Sequence, residues 1–186
     1  MFDEIAPVYD YLSWFFLPNT KKYILNNVQM SKNDKILDIG GGTGKLIETI
    51  LKENTKVKGY VLDKSISMLK KSSLEEKVIV GDSATLPFGS NCFDFVFCID
   101  ALHHFEDKHK SLKEMIRVSK PDGEIIILEL DPNNYLSKFI EYAERVMGES
   151  SKFYEEQYLK NVFLKRDFRV RIEKINFLQY ILHAKR

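Results

Sequence analysis

Only two cysteines, Cys92 and Cys98, occur in 186 residues, and they show neither CxxC nor zinc-ligand spacing, which removes disulfide scaffolds and zinc ribbons. No apolar run reaches the ~20 residues needed to cross a bilayer. The chain opens without a basic, apolar leader, so a reducing cytoplasm is the expected location. Charge of one sign is missing too: 28 Lys and Arg stand against 27 Asp and Glu, a formal net charge of +1, which calls for neither nucleic acid nor an anionic membrane. There is no internal repeat, low-complexity tract or interdomain linker. The length fits one domain, enough to bury roughly 70% of the extended surface in one core.

Against that background one segment stands out, ILDIGGGTGKL at 36–46. Ile36, Leu37 and Ile39 suit a strand covered on both faces. Gly40, Gly41, Gly42 and Gly44 permit positive φ and remove Cβ atoms, so a ligand can lie on the main chain. A helix follows from about Lys45, with Leu46, Ile47, Ile50 and Leu51 at helical spacing. Strand, glycine loop and helix N-terminus together make a nucleotide crevice. Two familiar phosphate fingerprints fail. Read from Gly40, a dinucleotide GxGxxG meets Lys45 at its last glycine, and a Walker loop fails because Leu46 follows Lys45. Asp38 at the strand end would repel a pyrophosphate and favour an ammonium group. The loop is therefore expected to hold a cationic cofactor.

Strand and helix signals then alternate. Strands are predicted at 57–63, 77–82, 93–100 and 124–130, a helix over SISMLKKSS, and a helix from about Asp107 to Val118 that stops at Pro121-Asp122-Gly123. This rhythm predicts an α/β fold with a parallel sheet and helices on both faces. One or two helices are expected around Gly148 in 134–165. Two strands follow with so short a link that they must pair antiparallel. In the first of them Phe168, Val170 and Ile172 alternate with Asp167, Arg169, Arg171 and Glu173, the pattern of a protected edge.

Motifs across nearly the whole chain now support a resemblance: FDEIAPVYD at 2–10, ILDIGGGTG at 36–44, VLD at 61–63, GDSATLPF at 81–88, FDFVFCIDALHHF at 93–105 and the KPDG turn. The chain resembles the class I S-adenosylmethionine-dependent methyltransferases, in the small-molecule branch that includes the ubiquinone and menaquinone C-methyltransferases. The resemblance implies a Rossmann-like seven-stranded sheet, mostly parallel, with the last strand antiparallel. It also implies a single domain: an N-terminal helical lid over 1–30, a cofactor-binding core over 31–130, and helices plus a terminal strand pair over 131–186. The cofactor implied is S-adenosylmethionine, leaving as S-adenosylhomocysteine.

The same resemblance distributes roles. Asp63, 25 positions after Asp38, would accept the ribose hydroxyls, with Lys64 beside it. Asp82 would take the adenine amino group and the Ser83 backbone N–H a ring nitrogen, with Ile66 and Leu86 around the base. Asp38 would accept loop N–H groups or meet the methionine ammonium, and the glycine loop would hold the methionine portion. Taken singly, an Asp after a strand is a turn or cap residue; three at successive strand ends converge on one crevice.

Methyl transfer needs alignment above all, and positioning supplies about 7–11 kcal/mol in the best cases. Where a base is useful, His103, His104 and Asp100 lie past the fourth strand, and Tyr9 would join them by folding over the cofactor. Alternatively one histidine packs or caps a helix while the other faces solvent. No metal ligand set is expected. Phe2, Tyr9, Tyr11, Trp14, Phe15, Phe16 and Leu17 form either a lid or an ordinary packed helix, and a transient lipid contact by Trp14, Phe15 and Phe16 is a third option. From Lys160 on, Lys and Arg outnumber Asp and Glu by 8 to 2, which the edge strand explains without nucleic acid. The ALHHF stretch lacks the Arg-Asn pair of the quinone enzymes, so a quinone is one option among small-molecule acceptors. A non-catalytic cofactor-binding subunit, an RNA methyltransferase and an NAD-dependent oxidoreductase stay open as alternatives.

Overall fold

A computed structural model of the chain describes residues 20–54, 56–74, 77–148 and 151–186. Tyr9 and the aromatic cluster from Phe2 to Leu17 lie outside the described residues. A helix, α1, runs through 20–27 and leads into β1 (Lys35–Ile39). Then come α2 (Lys45–Glu53), β2 (Lys58–Asp63), α3 (Ile66–Leu69), β3 (Val78–Val80) and β4 (Phe93–Ile99). A 3-10 turn at Leu102–His104 precedes α4 (Lys108–Val118) and β5 (Ser119–Leu130). The chain ends with α5 (Tyr135–Val146), α6 (Glu156–Leu164), β6 (Arg169–Lys174) and β7 (Gln179–Lys185).

The seven strands form one sheet in the order β3-β2-β1-β4-β5-β7-β6. β1 pairs in parallel with both β2 and β4, so the strand order reverses beside it and a crevice opens at the carboxyl ends of the strands. β7 runs antiparallel to β5 and β6, as the terminal pair predicted. Alternation along each strand sorts the core into two layers. Leu37, Ile39, Val96, Cys98 and Ile127 face Leu112 and Met115 of α4 and Phe163 of α6. Ile36, Val61, Phe97 and Ile126 face Ile47 and Ile50 of α2 and Ile24 of α1. On the edge strand β6 the arginines at 169 and 171 are exposed, while Val170 and Ile172 are half-buried. Among the described residues no helix is long and apolar enough to cross a membrane.

Three elements differ from the sequence reading. The stop expected at Pro121-Asp122-Gly123 is a bulge within β5: Phe93 pairs with Ser119 but Phe95 with Glu124, so five residues of β5 oppose two of β4. Gly123 fits there because an added Cβ would meet the Phe93 carbonyl oxygen and the Lys120 nitrogen at 3.0 Å. The helix expected over SISMLKKSS shrinks to Ile66–Leu69, opened by Ser65, whose hydroxyl accepts from the Met68 N–H. The third strand shortens to Val78–Val80.

α2 lies tight on β2 because Gly59 has no side chain; a Cβ there would sit 2.4 Å from Ile47 Cγ2. Gly59→Ala is expected to destabilise the fold by about 1–3 kcal/mol through overpacking and to lower the melting temperature by several degrees. An unchanged thermal midpoint would show that α2 is free to move away from the sheet.

Candidate active site

The crevice at the strand ends holds a cavity of about 490 Å³, a size ordinary for small-molecule sites. Its floor is the turn after β1. Gly40 N–H donates to the Leu62 carbonyl at 2.7 Å, and Gly42 N–H donates to Asp63 Oδ2 at 2.8 Å. Gly40 and Gly42 have positive φ, 73° and 55°, and both line the cavity. Gly41 and Gly44 serve the protein's own packing. A Cβ on Gly41 would sit 2.6 Å from Asp38 Oδ2, and one on Gly44 would sit 2.9 Å from Ser72 Oγ.

Asp38 lies beneath this turn at 2% exposure, and its Oδ1 has no hydrogen-bond partner. Burial, with the neighbouring Asp63 charge second, pushes its carboxyl up to about 7. Asp63 closes β2 and lines the cavity. Its Oδ1 accepts the Ser65 N–H and its Oδ2 the Gly42 N–H, both at 2.8 Å. Burial raises this carboxyl also, and the backbone N–H groups of Ser65, Gly42 and Lys64 oppose the rise. Lys64 pairs with Glu106, both exposed and both on the cavity lining.

Farther along the crevice, Ile66 lines the cavity with 55% of its surface exposed. Leu86, expected against the same ligand, is instead 5% exposed within the core. Asp82 lines the cavity, and its Oδ1 accepts the Ala84 N–H at 2.8 Å. Ser83 also lines it, although its hydroxyl is buried 2.8 Å from that of Ser111.

The far wall comes from the segment after β4. Asp100, at φ 55°, gives its N–H to the Leu128 carbonyl and lines the cavity with Ala101, His104 and Phe105. Burial raises its carboxyl, while His103 counteracts. The two histidines separate. His103 is 2% exposed, packed on Phe153 with ring centroids 4.5 Å apart, and its Nδ1 lies 3.0 Å from Glu129 Oε2. Burial works against a charge on His103, but Glu129, with Asp100 and Glu144, carries it up to about 9. His104 faces the cavity; burial first, then His103 and Lys108, hold it down at about 2. Its Nδ1 lies 3.4 Å from Ser151 Oγ, which donates to Glu144 Oε2.

Glu129, Glu144 and Ser151 escaped the sequence reading. Glu129 did leave a signal, an acid inside the apolar run EIIILEL. Glu144 left none, because it sits in an amphipathic helix some 40 residues beyond the histidines.

Known proteins share the fold and motifs of this chain. Residues 37–127 match the family described as Methyltransferase domain. A demethylmenaquinone methyltransferase of Renibacterium salmoninarum is 28% identical, over 97% of this chain and 80% of its own length. Another, from Thermotoga maritima, is 31% identical over 83% of this chain and 67% of its own. Among solved structures, the YcgJ protein of Bacillus superposes with a TM-score of 0.76 at 17% identity, covering 90% of this chain and 98% of its own.

The Asp38 carboxyl sets a pH dependence. Its folded value, about 7, lies above the ordinary 3.8, so in between the native chain holds a proton that the unfolded chain releases. Ligand-free stability is therefore expected to fall by a few kcal/mol as pH rises from about 4 to 7. Asp38→Asn, which cannot ionise, should flatten that slope in thermal melts. Parallel pH profiles for the two proteins would refute the assignment.

Proposed function

We infer the reaction from one premise: the chain belongs to the class I S-adenosylmethionine-dependent methyltransferases, in the branch that includes the demethylmenaquinone methyltransferases. It is an enzyme of that family, and its cofactor is S-adenosylmethionine. The residues present fit the cofactor on an observation of their own. A buried carboxyl oxygen on Asp38 lacks any partner beneath a glycine turn, and the carboxylates of Asp63, Asp82, Asp100 and Glu106 line the cavity beside that turn. That set of acceptors suits an ammonium, a ribose and an adenine amino group, and it suits a pyrophosphate poorly.

In the proposed assignment Asp38 meets the ammonium end, with Gly40 and Gly42 giving it main-chain surface. Asp63 has its direction fixed by two backbone N–H groups, and each oxygen retains a lone pair for a ribose hydroxyl. Asp82 and Ser83 address the adenine edge, Ile66 covers its face, and the Lys64–Glu106 pair spans the rim. The chemistry that S-adenosylmethionine supplies when bound is a methyl group on a sulfonium, open to in-line displacement.

The acceptor end belongs to Asp100, Ala101, His104 and Phe105. Here the chain orients a small acceptor carrying a hydroxyl, a class that takes in the reduced form of a quinone such as the one in its relatives' names. His104 is the group proposed to touch that hydroxyl. His103, held by Glu129, is proposed to position the turn from behind. The chain is proposed to work as one domain in the cytoplasm.

Two measurements test these roles. Asp63→Ala should weaken S-adenosylhomocysteine binding by about 1–3 kcal/mol in calorimetry, through the lost ribose hydrogen bonds; undiminished affinity would remove Asp63 from the site, and tighter binding of NAD by the unaltered chain would overturn the cofactor. With labelled methyl groups transferred into a cell extract, His104→Ala should slow turnover at least tenfold while leaving S-adenosylhomocysteine affinity nearly intact. A full rate in that variant would place His104 among packing residues.

A further inference from the structure

Behind the acceptor end of the cavity, the 3-10 turn and α5 bring three metal-ligating side chains together. One ring nitrogen from each of His103 and His104 and one carboxylate oxygen of Glu144 lie within 4.8 Å of one another. The group is sheltered: His103 is buried and the other two are half-buried. We propose that His103, His104 and Glu144 form a binding site for one divalent transition-metal ion of the zinc type, whose remaining coordination position opens on the cavity.

Three observations carry this. The ligand types are right, since two imidazoles and a carboxylate with an open position make a common catalytic set for zinc and related ions. The supporting residue is also in place. Glu129 is fully buried and holds His103 through Nδ1 at 3.0 Å, which leaves Nε2 for the ion and fixes the ring, the carboxylate–histidine–metal arrangement. The surroundings are rich in negative charge, because Glu129, Asp100 and Glu144 all act on His103. Lys108, whose charge reaches His104, is tied by its Nζ to the Phe105 carbonyl at 2.7 Å. A tetrahedral ion with bonds of about 2.1 Å needs its ligands roughly 3.4 Å apart, so the trio, within 4.8 Å of one another, would draw in by up to about 1.4 Å. The Ser151 hydroxyl, already between Glu144 and His104, then serves as an outer hydrogen-bond donor to Glu144.

The role of the ion deepens the methyltransferase reading and rests on it. His104 lines the cavity where the acceptor is placed. An acceptor hydroxyl entering the open position would form an oxygen–metal bond and release its proton to bulk water, leaving an oxyanion that makes the acceptor nucleophilic at neutral pH.

The test uses the full chain after chelation and dialysis. Zinc chloride titrated by calorimetry should bind at one equivalent, and cobalt(II) should give the visible bands of a low-coordinate site. Glu144→Gln should weaken zinc at least roughly 100-fold, and Glu129→Gln, which removes only the support, roughly 10–100-fold. Circular dichroism melts of both variants confirm folding. Absence of stoichiometric zinc and cobalt binding, or a folded Glu144→Gln that binds zinc as well as the parent, overturns the site. S-adenosylhomocysteine titrated into the same metal-free chain separates the two claims: binding without zinc affinity defeats the metal site alone, and failure to bind defeats the methyltransferase reading.

Discussion

Each of the five neighbouring parallel strands ends in a carboxylate, and the rest of the site depends on how that crowding is relieved. Asp38 belongs to β1, Asp63 closes β2, Asp82 follows β3, Asp100 follows β4, and Glu129 is next to last in β5. Parallel pairing puts these ends on one edge of the sheet. The field registers on a group with no part in the chemistry: the Cys98 thiol is pushed well up by burial and by Glu129, Asp38 and Asp100. Backbone N–H groups answer part of the charge at Asp63 and Asp82. At Asp38, Oδ1 has no such partner. A site so furnished favours ligands with positive charge, and a sulfonium carrying an ammonium brings two.

What the sequence disclosed follows from which forces are local. The strand, glycine turn and helix at 36–51 were legible because periodicity and the absence of Cβ atoms act within a few residues. Asp38, Asp63, Asp82 and Asp100 were legible because each stands where a strand must end, whereas Glu129 lies inside an apolar run. The glycines were only partly so. Four within five residues suggested a ligand cradle, but Gly41 answers to Asp38 Oδ2 and to Val61, and Gly44 to Ser72, contacts that depend on how the chain folds. The Pro-Asp-Gly bulge was read as a stop for the same reason. Turn residues bend the chain in either case, and only pairing with Phe93 decides that the strand has already begun at Ser119. Leu86 was misplaced because its burial depends on the core around α4, to which nothing near it in sequence points.

His103 and His104 show how adjacent residues acquire opposite duties. In a 3-10 turn successive side chains point roughly 120° apart, so one can enter the core while the next faces the cavity. Which one enters is decided by Glu129. β5 lies between β4 and β7, with Glu129 in register with Tyr180, so its carboxylate is fully enclosed and has no route to water. A bare charge there would be strongly destabilising. His103 supplies both a ring nitrogen and its own backbone N–H to the Glu129 carboxylate. The inner pair is thus required by the fold whether or not any chemistry follows. Because it clamps the turn through two contacts, it also sets where the next side chain must point. The position of His104 on the cavity wall is in this sense a consequence of a carboxylate buried in the fifth strand.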